Sequence, residues 1–237
     1  MKIMIVGAGG RMGSLVKELA IENGNEVVAA VDIKSGYIND IADYEGDADV
    51  VIDFSLPQAT EKVLDYAVRK SLPLVMAVTG HSPSERRKVI SASKKVAIFY
   101  SPTLSIGVAA SINAAKNILK AFPAADLEIC ERHHALKADS PSGTALFMAE
   151  RLGYKPVYGR KKRRSRNEAG IASLRYGNVC GTHETIIAGG DEIITIKHEA
   201  VSRKVFALGA LKAARFIVHE SCGIYDVFSL LNEDRIF

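Results

Sequence analysis

The sequence predicts an α/β protein: a doubly wound parallel sheet followed by a second, α+β domain. Three observations carry this. Short apolar runs alternate with helical apolar patterns through the first ~120 residues. A glycine-rich turn joins the first run to the first helix. Past Ala121 the helices thin out and strand-like segments follow one another.

In chain order, Lys2 to Val6 is a short β-rich run ending in glycines. Arg11 to Asn23 places Met12, Leu15, Val16, Leu19 and Ala20 on one helical face, and Gly24 closes it. Glu26 to Val31 and Asp49 to Phe54 are nearly continuous apolar runs, as parallel strands covered on both faces require. Pro57 to Lys70 reads as a helix and Leu74 to Val78 as a strand. Ser82-Pro83-Ser84-Glu85 is a capping box opening the next helix, and Val96 to Tyr100 is the next strand. A helix from Ile106 to Ala121 leads into the second domain. There Ala125 to Arg132, Ile171 to Tyr176, Thr182 to Ala188 and Glu192 to His198 read as strands. Gly189-Gly190 supplies a hairpin turn, and Thr144 to Leu152 a helix. Lys204 to His219 is helical again, and the tail is expected to return to the first domain. The expected boundaries are 1–104 and 105–203, with 204–237 as the return.

The 237 residues are 48% hydrophobic and 24% charged, so neither disorder nor disulfide dependence is needed to explain the chain. No stretch reaches the ~18–20 apolar residues of a membrane span. The run after Lys2 is too short for a secretory leader. Cys130, Cys180 and Cys222 form no CxxC pair, which disfavours a disulfide framework or a zinc knuckle and suits a reducing cytosol.

Gly7-Ala8-Gly9-Gly10-Arg11-Met12-Gly13 lies between the first strand and the first helix. Bare backbone and a helix N-terminus at that place suit a pyrophosphate. Asp32, at the end of the second strand, suits the adenosine ribose hydroxyls. Together they predict a Rossmann-type dinucleotide site. Asp32 favours NADH because it repels a 2′-phosphate, and Lys34 offsets that repulsion, so use of both NADH and NADPH is expected.

The segment Glu131 to Thr144 brings together His133, His134, Lys137 and the helix start Ser142-Gly143-Thr144. An imidazole changes charge near neutrality, an ammonium attracts carboxylates, and amides at a helix start cradle anions. The pattern is a proton donor beside an anion site. No histidine–cysteine–carboxylate spacing for zinc is present, so no metal is expected.

The cluster E-x-H-H-x-x-K-x-D-x-P-S-G-T-A, with the opening G-A-G-G-R-M-G, resembles the dihydrodipicolinate reductase family of the diaminopimelate–lysine pathway. Thr79-Gly80, Ser105 to Val108, Arg175 to His183, Ser202 to Phe206 and Gly223 to Asp226 extend the resemblance along most of the chain. It implies hydride transfer from a nicotinamide cofactor to C4 of a conjugated cyclic imine. His133 would be the proton donor and Lys137 its carboxylate-binding partner. His134, Ser142, Gly143 and Thr144 would hold the carboxylates. Cofactor contacts would come from Gly7, Ala8, Gly9, Gly10, Arg11, Met12, Asp32 and Lys34, from Ala77, Val78 and Thr79, and from Ser101, Pro102, Thr103 and Leu104. It also implies a homotetramer assembled through the second domain, and a dicarboxylate substrate in the cleft between the domains.

Two other readings stay open on the residues alone. Another Rossmann reductase, such as an amino-acid dehydrogenase, would not need the histidine–lysine cluster. A cofactor-sensing regulator would tolerate its loss. The run Arg160-Lys161-Lys162-Arg163-Arg164-Ser165-Arg166 holds six basic residues, without which the 27 acidic residues would outnumber the basic ones. A solvated loop is its simplest reading. Steering of anionic ligands and nucleic-acid binding are the alternatives. Arg175 and His183 read equally as ordering a substrate loop, as part of a subunit interface, or as satisfied structural groups.

Overall fold

The computed structural model describes residues 1–232. The end of the expected C-terminal return, 233–237, lies outside the described residues. The elements in chain order are β1 (Lys2–Val6), α1 (Arg11–Glu22), β2 (Glu26–Val31), β3 (Val50–Asp53), α2 (Thr60–Lys70), β4 (Leu74–Met76), α3 (Pro83–Ala92) and β5 (Ala97–Tyr100). There follow α4 (Ile106–Ala121), β6 (Asp126–His133), α5 (Gly143–Arg151), β7 (Lys155–Val157), β8 (Glu168–Arg175), β9 (Thr182–Gly189), β10 (Glu192–Glu199), α6 (Lys204–Ile217) and β11 (Gly223–Tyr225). Contacts divide them into two compact units, Met1–Ile106 with the chain from Lys204 onward, and Gly107–Arg203.

The first unit holds a six-stranded sheet in the order β11-β5-β4-β3-β1-β2, parallel throughout. Strand order reverses between β1 and β3, which is where a doubly wound sheet opens a crevice at the carboxyl ends of its strands. Both faces are covered, so the central strands are apolar except at Lys2, which starts β1, and Asp53, which ends β3. Ile3, Met4, Ile5, Val50, Val51 and Ile52 are all fully buried. Val63, Leu64, Tyr66 and Ala67 of α2 and Val89 of α3 pack with Met4, Val51 and Met76 on one face. Helices α1 and α6 pack against each other, and α6 also lies on β3, β4 and β5. Close approach of α6 needs glycine at 209, where a Cβ would sit 1.9 Å from the Leu104 carbonyl oxygen.

Several boundaries differ from expectation for local reasons. The capping box of α3 forms as read, with Ser82 Oγ accepting from Glu85 N–H and the Glu85 carboxylate accepting from Ser82 N–H. β4 stops at Met76, two residues early, because Ala77 and Val78 turn away after the Ala77 N–H bonds Asp53 O. α1 ends at Glu22, with Asn23 as its cap and Gly24 in the left-handed region. α6 ends at Ile217 rather than His219.

The second unit holds a mixed sheet, β10-β9-β6-β8-β7. β9 is antiparallel to β10 and β6, while β8 is parallel to β6 and β7. The hairpin turn falls on Gly190-Asp191, one residue later than expected. Gly189 still pairs with Glu192, and a Cβ at Gly189 would meet the Phe122 ring at 2.7 Å. Two strand features escaped the sequence reading: the short β7, and the first turn of β8 from Glu168. Among the described residues, no helix is long and apolar enough to cross a membrane.

The basic run is not uniformly solvated. Arg164 reaches the Asp126 and Glu128 carboxylates of β6, and Arg160 bonds Glu128 at 3.0 Å. Lys161, Lys162, Arg163 and Arg166 remain exposed. Two arginines therefore fasten the loop to the sheet, and a wholly solvated loop is not what forms.

Candidate active site

In the first unit, the turn after β1 is shaped by what glycine lacks. Gly7 has φ +74°, and a Cβ on it would lie 2.6 Å from the Phe54 backbone across the β1–β3 crevice. A Cβ on Gly13 would lie 2.1 Å from Gly7 O, so only glycine lets α1 start so close to the strand. Gly10 caps α1 without any side-chain hydrogen bond, which leaves the first-turn amides to other acceptors. Asp32 stands beside this turn. Its carboxylate accepts from Gly9 N–H at 2.9 Å and from Lys34 N–H at 3.0 Å. The Lys34 ammonium bonds Gly9 O. Gly7, Gly9, Gly10, Asp32 and Lys34 thus form one local constellation, with Ala8 fully buried beneath it and Arg11 and Met12 opening α1.

The other expected cofactor residues divide. Thr79 and Pro102 are exposed, and Ala77 is half-buried. Val78, Ser101, Thr103 and Leu104 are buried. Thr103 Oγ1 is taken up by Ser105 N–H at 3.2 Å. Next to the Ala77–Gly80 turn, His81 is buried and bridges Thr60 Oγ1 at 2.8 Å and Tyr100 OH at 3.1 Å. Burial pushes its pKa below the usual value, which favours the neutral ring. Nothing in the sequence marked this residue.

In the second unit, four charged or titratable side chains converge on one face of the sheet. Glu131 and His133 are two apart on β6 and so point the same way. Register places Arg175 of β8 beside His133 and His183 of β9 beside Glu131. Glu131 is fully buried. It accepts from both Arg175 terminal nitrogens, at 2.9 and 2.7 Å, from Ser142 N–H at 3.1 Å, and from His133 Nδ1 at 2.5 Å. Burial alone would raise the Glu131 pKa. The donors of His133, Arg175 and Ser142 outweigh it and hold the carboxylate well below its usual range. The His183 ring stacks edge-on against His133 with centroids 5.2 Å apart. Burial foremost, then the His133 charge, lowers its pKa to about 3.

Ser142 joins the start of α5 to this cluster. It is buried and caps α5: its Oγ accepts from Ala145 N–H at 3.2 Å and meets His183 Nε2 at 3.2 Å, while its N–H goes to Glu131. Ser142 thus ties the start of α5 to both Glu131 and His183. Gly143 and Thr144 are half-buried, and nothing crowds the Cβ position of Gly143.

Lys137 shows what this site attracts. Its ammonium holds the Asp139 carboxylate at 2.8 Å. Burial would raise the Asp139 pKa, yet it is lowered by the Lys137 ammonium and by the Gly143 amide. A carboxylate of the protein itself thus lies between the cation and the helix start. His134 is half-buried, and its carbonyl closes the turn by accepting Lys137 N–H at 3.1 Å.

Glu131, His133 and His183 also offer ligand atoms within 4.8 Å of one another. The Arg175 guanidinium already engages both Glu131 oxygens, so a cation there would have to displace another. Sequence reasoning missed Glu131 as a site residue, although its i, i+2 spacing from His133 on a strand was the available signal.

Comparison with known proteins follows the same division of the chain. Residues 1–104 match the family profile described as dihydrodipicolinate reductase, N-terminus, and residues 107–231 match its C-terminus. A 4-hydroxy-tetrahydrodipicolinate reductase of Caldanaerobacter subterraneus subsp. tengcongensis is 39% identical, covering 98% of each chain. That of Clostridium tetani is 40% identical over 98% of this chain and 97% of its own. A solved dihydrodipicolinate reductase from Paenisporosarcina sp. TG-14, described as dipicolinate-bound, superposes with a TM-score of 0.73 at 21% identity. It covers 95% of this chain and 97% of that one, and shows the shared fold. Both halves and nearly the full length agree, and the chain belongs to the dihydrodipicolinate reductase family.

Proposed function

We propose that this protein reduces 4-hydroxy-tetrahydrodipicolinate to tetrahydrodipicolinate in diaminopimelate and lysine biosynthesis, with NADH or NADPH as reductant. The observation that carries the reading is the Asp139 carboxylate seated against Lys137 in the segment that also holds His133. The protein's own acid stands where a substrate carboxylate is expected.

The first unit fits a dinucleotide. The missing side chains of Gly7, Gly9, Gly10 and Gly13 and the uncapped start of α1 suit a pyrophosphate. Asp32 would accept from ribose hydroxyls, and the Lys34 ammonium would temper its repulsion of a 2′-phosphate, which supports use of both cofactors. Arg11, Met12, Thr79 and Pro102 and the main chain of Ala77, Val78, Ser101, Thr103 and Leu104 would complete the site. When bound, a reduced nicotinamide supplies hydride.

The second unit's residues supply the rest. Lys137 neutralises one substrate carboxylate as Asp139 yields its place. Gly143 and Thr144 offer amides to an anion at the start of α5, with His134 flanking them. Loss of the 4-hydroxyl as water gives the conjugated imine; addition of hydride at its C4 leaves an enamine, and His133 gives its proton to the adjacent ring carbon, restoring the imine. A homotetramer in the cytosol is part of the proposal. Ile193 of the edge strand β10 is 70% exposed, which supports a partner surface on that sheet.

The test is oxidation of NADH and NADPH with substrate freshly made by the preceding condensation. Turnover with both, at a preference below ~100-fold (about 2.7 kcal/mol), is expected. Absence of turnover with either would overturn the reading.

A further inference from the structure

Nothing in the proposed chemistry explains why a fully buried carboxylate sits behind the proton donor. Glu131 has no exposure and four donors around it, which is an expensive arrangement unless it serves the histidine. The donors come from two strands and the residue that caps α5: His133 from β6 itself, Arg175 from β8, and Ser142 N–H. From β9, His183 faces the same two side chains, kept neutral by burial. Lys137, paired with Asp139, and His198 of β10 are the other titratable groups whose charges act on His183.

The consequence for His133 is directional. An ionised carboxylate only accepts, so the ring nitrogen facing it, Nδ1, must carry hydrogen. The other nitrogen, Nε2, then faces Gly181: a Cβ there would lie only 3.1 Å from it. Gly181 has no positive φ, so backbone conformation does not require glycine. Its missing side chain leaves space in front of Nε2.

We infer that Glu131, braced by Arg175, is the positioning residue of the proton donor: it grips His133 by Nδ1 and makes Nε2, above the bare Gly181, the nitrogen that gives its proton to substrate. The inference rests on the reductase reading and adds to it a carboxylate and a glycine with defined roles. The Nε2–H bond breaks as the ring-carbon–H bond forms. The imidazolium becomes neutral imidazole with Nδ1–H retained, and solvent reprotonates it between turnovers.

The experiment compares Glu131→Gln, Glu131→Asp and Gly181→Ala with wild type in kcat, KM and the pH profile of kcat. It adds 15N NMR of the histidine rings, with His133 assigned through His133→Gln. In the glutamine variant the amide can present N–H to Nδ1 and favour the wrong tautomer. The expected result is a fall in kcat of about 10²-fold or more, within the range for general acids, with KM changed less than ~3-fold and the alkaline limb moved to lower pH. Glu131→Asp should recover part of the loss. Gly181→Ala should lower kcat at least ~10-fold by placing a methyl against Nε2. A glutamine variant with near wild-type kcat and an unmoved profile overturns the proposal. Should that variant fail to fold, the wild-type spectrum decides: neutral His133 protonated at Nδ1 supports the proposal, and protonated at Nε2 overturns it. If wild type shows no reductase activity, the functional reading fails, while the tautomer measurement still judges the geometry.

Discussion

The Arg175 guanidinium grips both oxygens of the buried Glu131 carboxylate, at 2.7 and 2.9 Å, from the neighbouring parallel strand. The fork geometry suits arginine and not lysine. Removing the cation leaves an ionised acid without its main counter-charge in a site that water does not reach. Arg175→Met should therefore destabilise the second unit by about 3–5 kcal/mol, the usual penalty for orphaning a buried charge. Glu131→Gln should cost less, because it removes the charge that needs a partner. Denaturant unfolding of the two variants checks the order, and a smaller loss in Arg175→Met would contradict it.

Asp139 pairs with the Lys137 ammonium at 2.8 Å, so if Lys137 binds a substrate carboxylate as proposed, the aspartate competes for it. Neutralising it should help binding. Asp139→Asn is expected to tighten pyridine-2,6-dicarboxylate by roughly 3–10-fold, about 0.7–1.4 kcal/mol, as suits a partly exposed ion pair. Lys137→Met should weaken it by more than ~10-fold without altering cofactor affinity. Titration calorimetry measures both. Weaker binding by Asp139→Asn would mean that the aspartate orients Lys137 rather than shielding it.

Gly13 is held by the tightest approach in the turn, 2.1 Å from its absent Cβ to Gly7 O. Gly24 has open space around it. Gly13→Ala must push α1 away from β1, and should abolish measurable NADH binding while lowering stability by ~2 kcal/mol or more, as overpacking does. Gly24 differs because its left-handed backbone, not crowding, is the obstacle. Gly24→Ala should cost about 1 kcal/mol and leave cofactor binding intact. Fluorescence titration with NADH separates the two outcomes.

Much of this architecture was legible in the residues. Alternating periods announced the parallel sheet, and Gly7–Gly13 announced the tight turn from β1 into α1, because local backbone demands leave local signatures. What stayed hidden depends on register between distant strands. Arg175 and His183 were visible as polar residues. That they converge on Glu131 follows only from β8 pairing parallel and β9 antiparallel to β6, which no local pattern dictates. The Ser142 link to Glu131 was hidden for a related reason. The helix-cap position of Ser142 was readable, but the carboxylate that takes its N–H comes from β6. β7 escaped because a three-residue strand carries too little periodicity to read.

Two buried groups give the units opposite responses to acid. Asp53, at the end of β3, is fully buried. Burial raises its pKa from 3.8 to about 6, only partly offset by Ser55. The folded chain therefore prefers it protonated, and stability that is full below 3.8 declines as pH rises through about 6. His183 is the reverse. Its pKa falls from 6.5 to about 3, so the native state excludes a proton that the unfolded chain binds, and stability declines as pH drops from 6.5 toward 3. Asp53→Asn keeps the acceptor for Ser55 N–H while removing the charge. Relative to wild type it should gain up to roughly 3 kcal/mol between pH 4 and pH 7.5, at ~1.4 kcal/mol per pH unit. His183→Gln should flatten the acid-side loss instead. Thermal unfolding of the three proteins from pH 4 to 7.5 tests both signs, and an Asp53→Asn variant that gains nothing over this range would show that the carboxylate is solvated and ordinary.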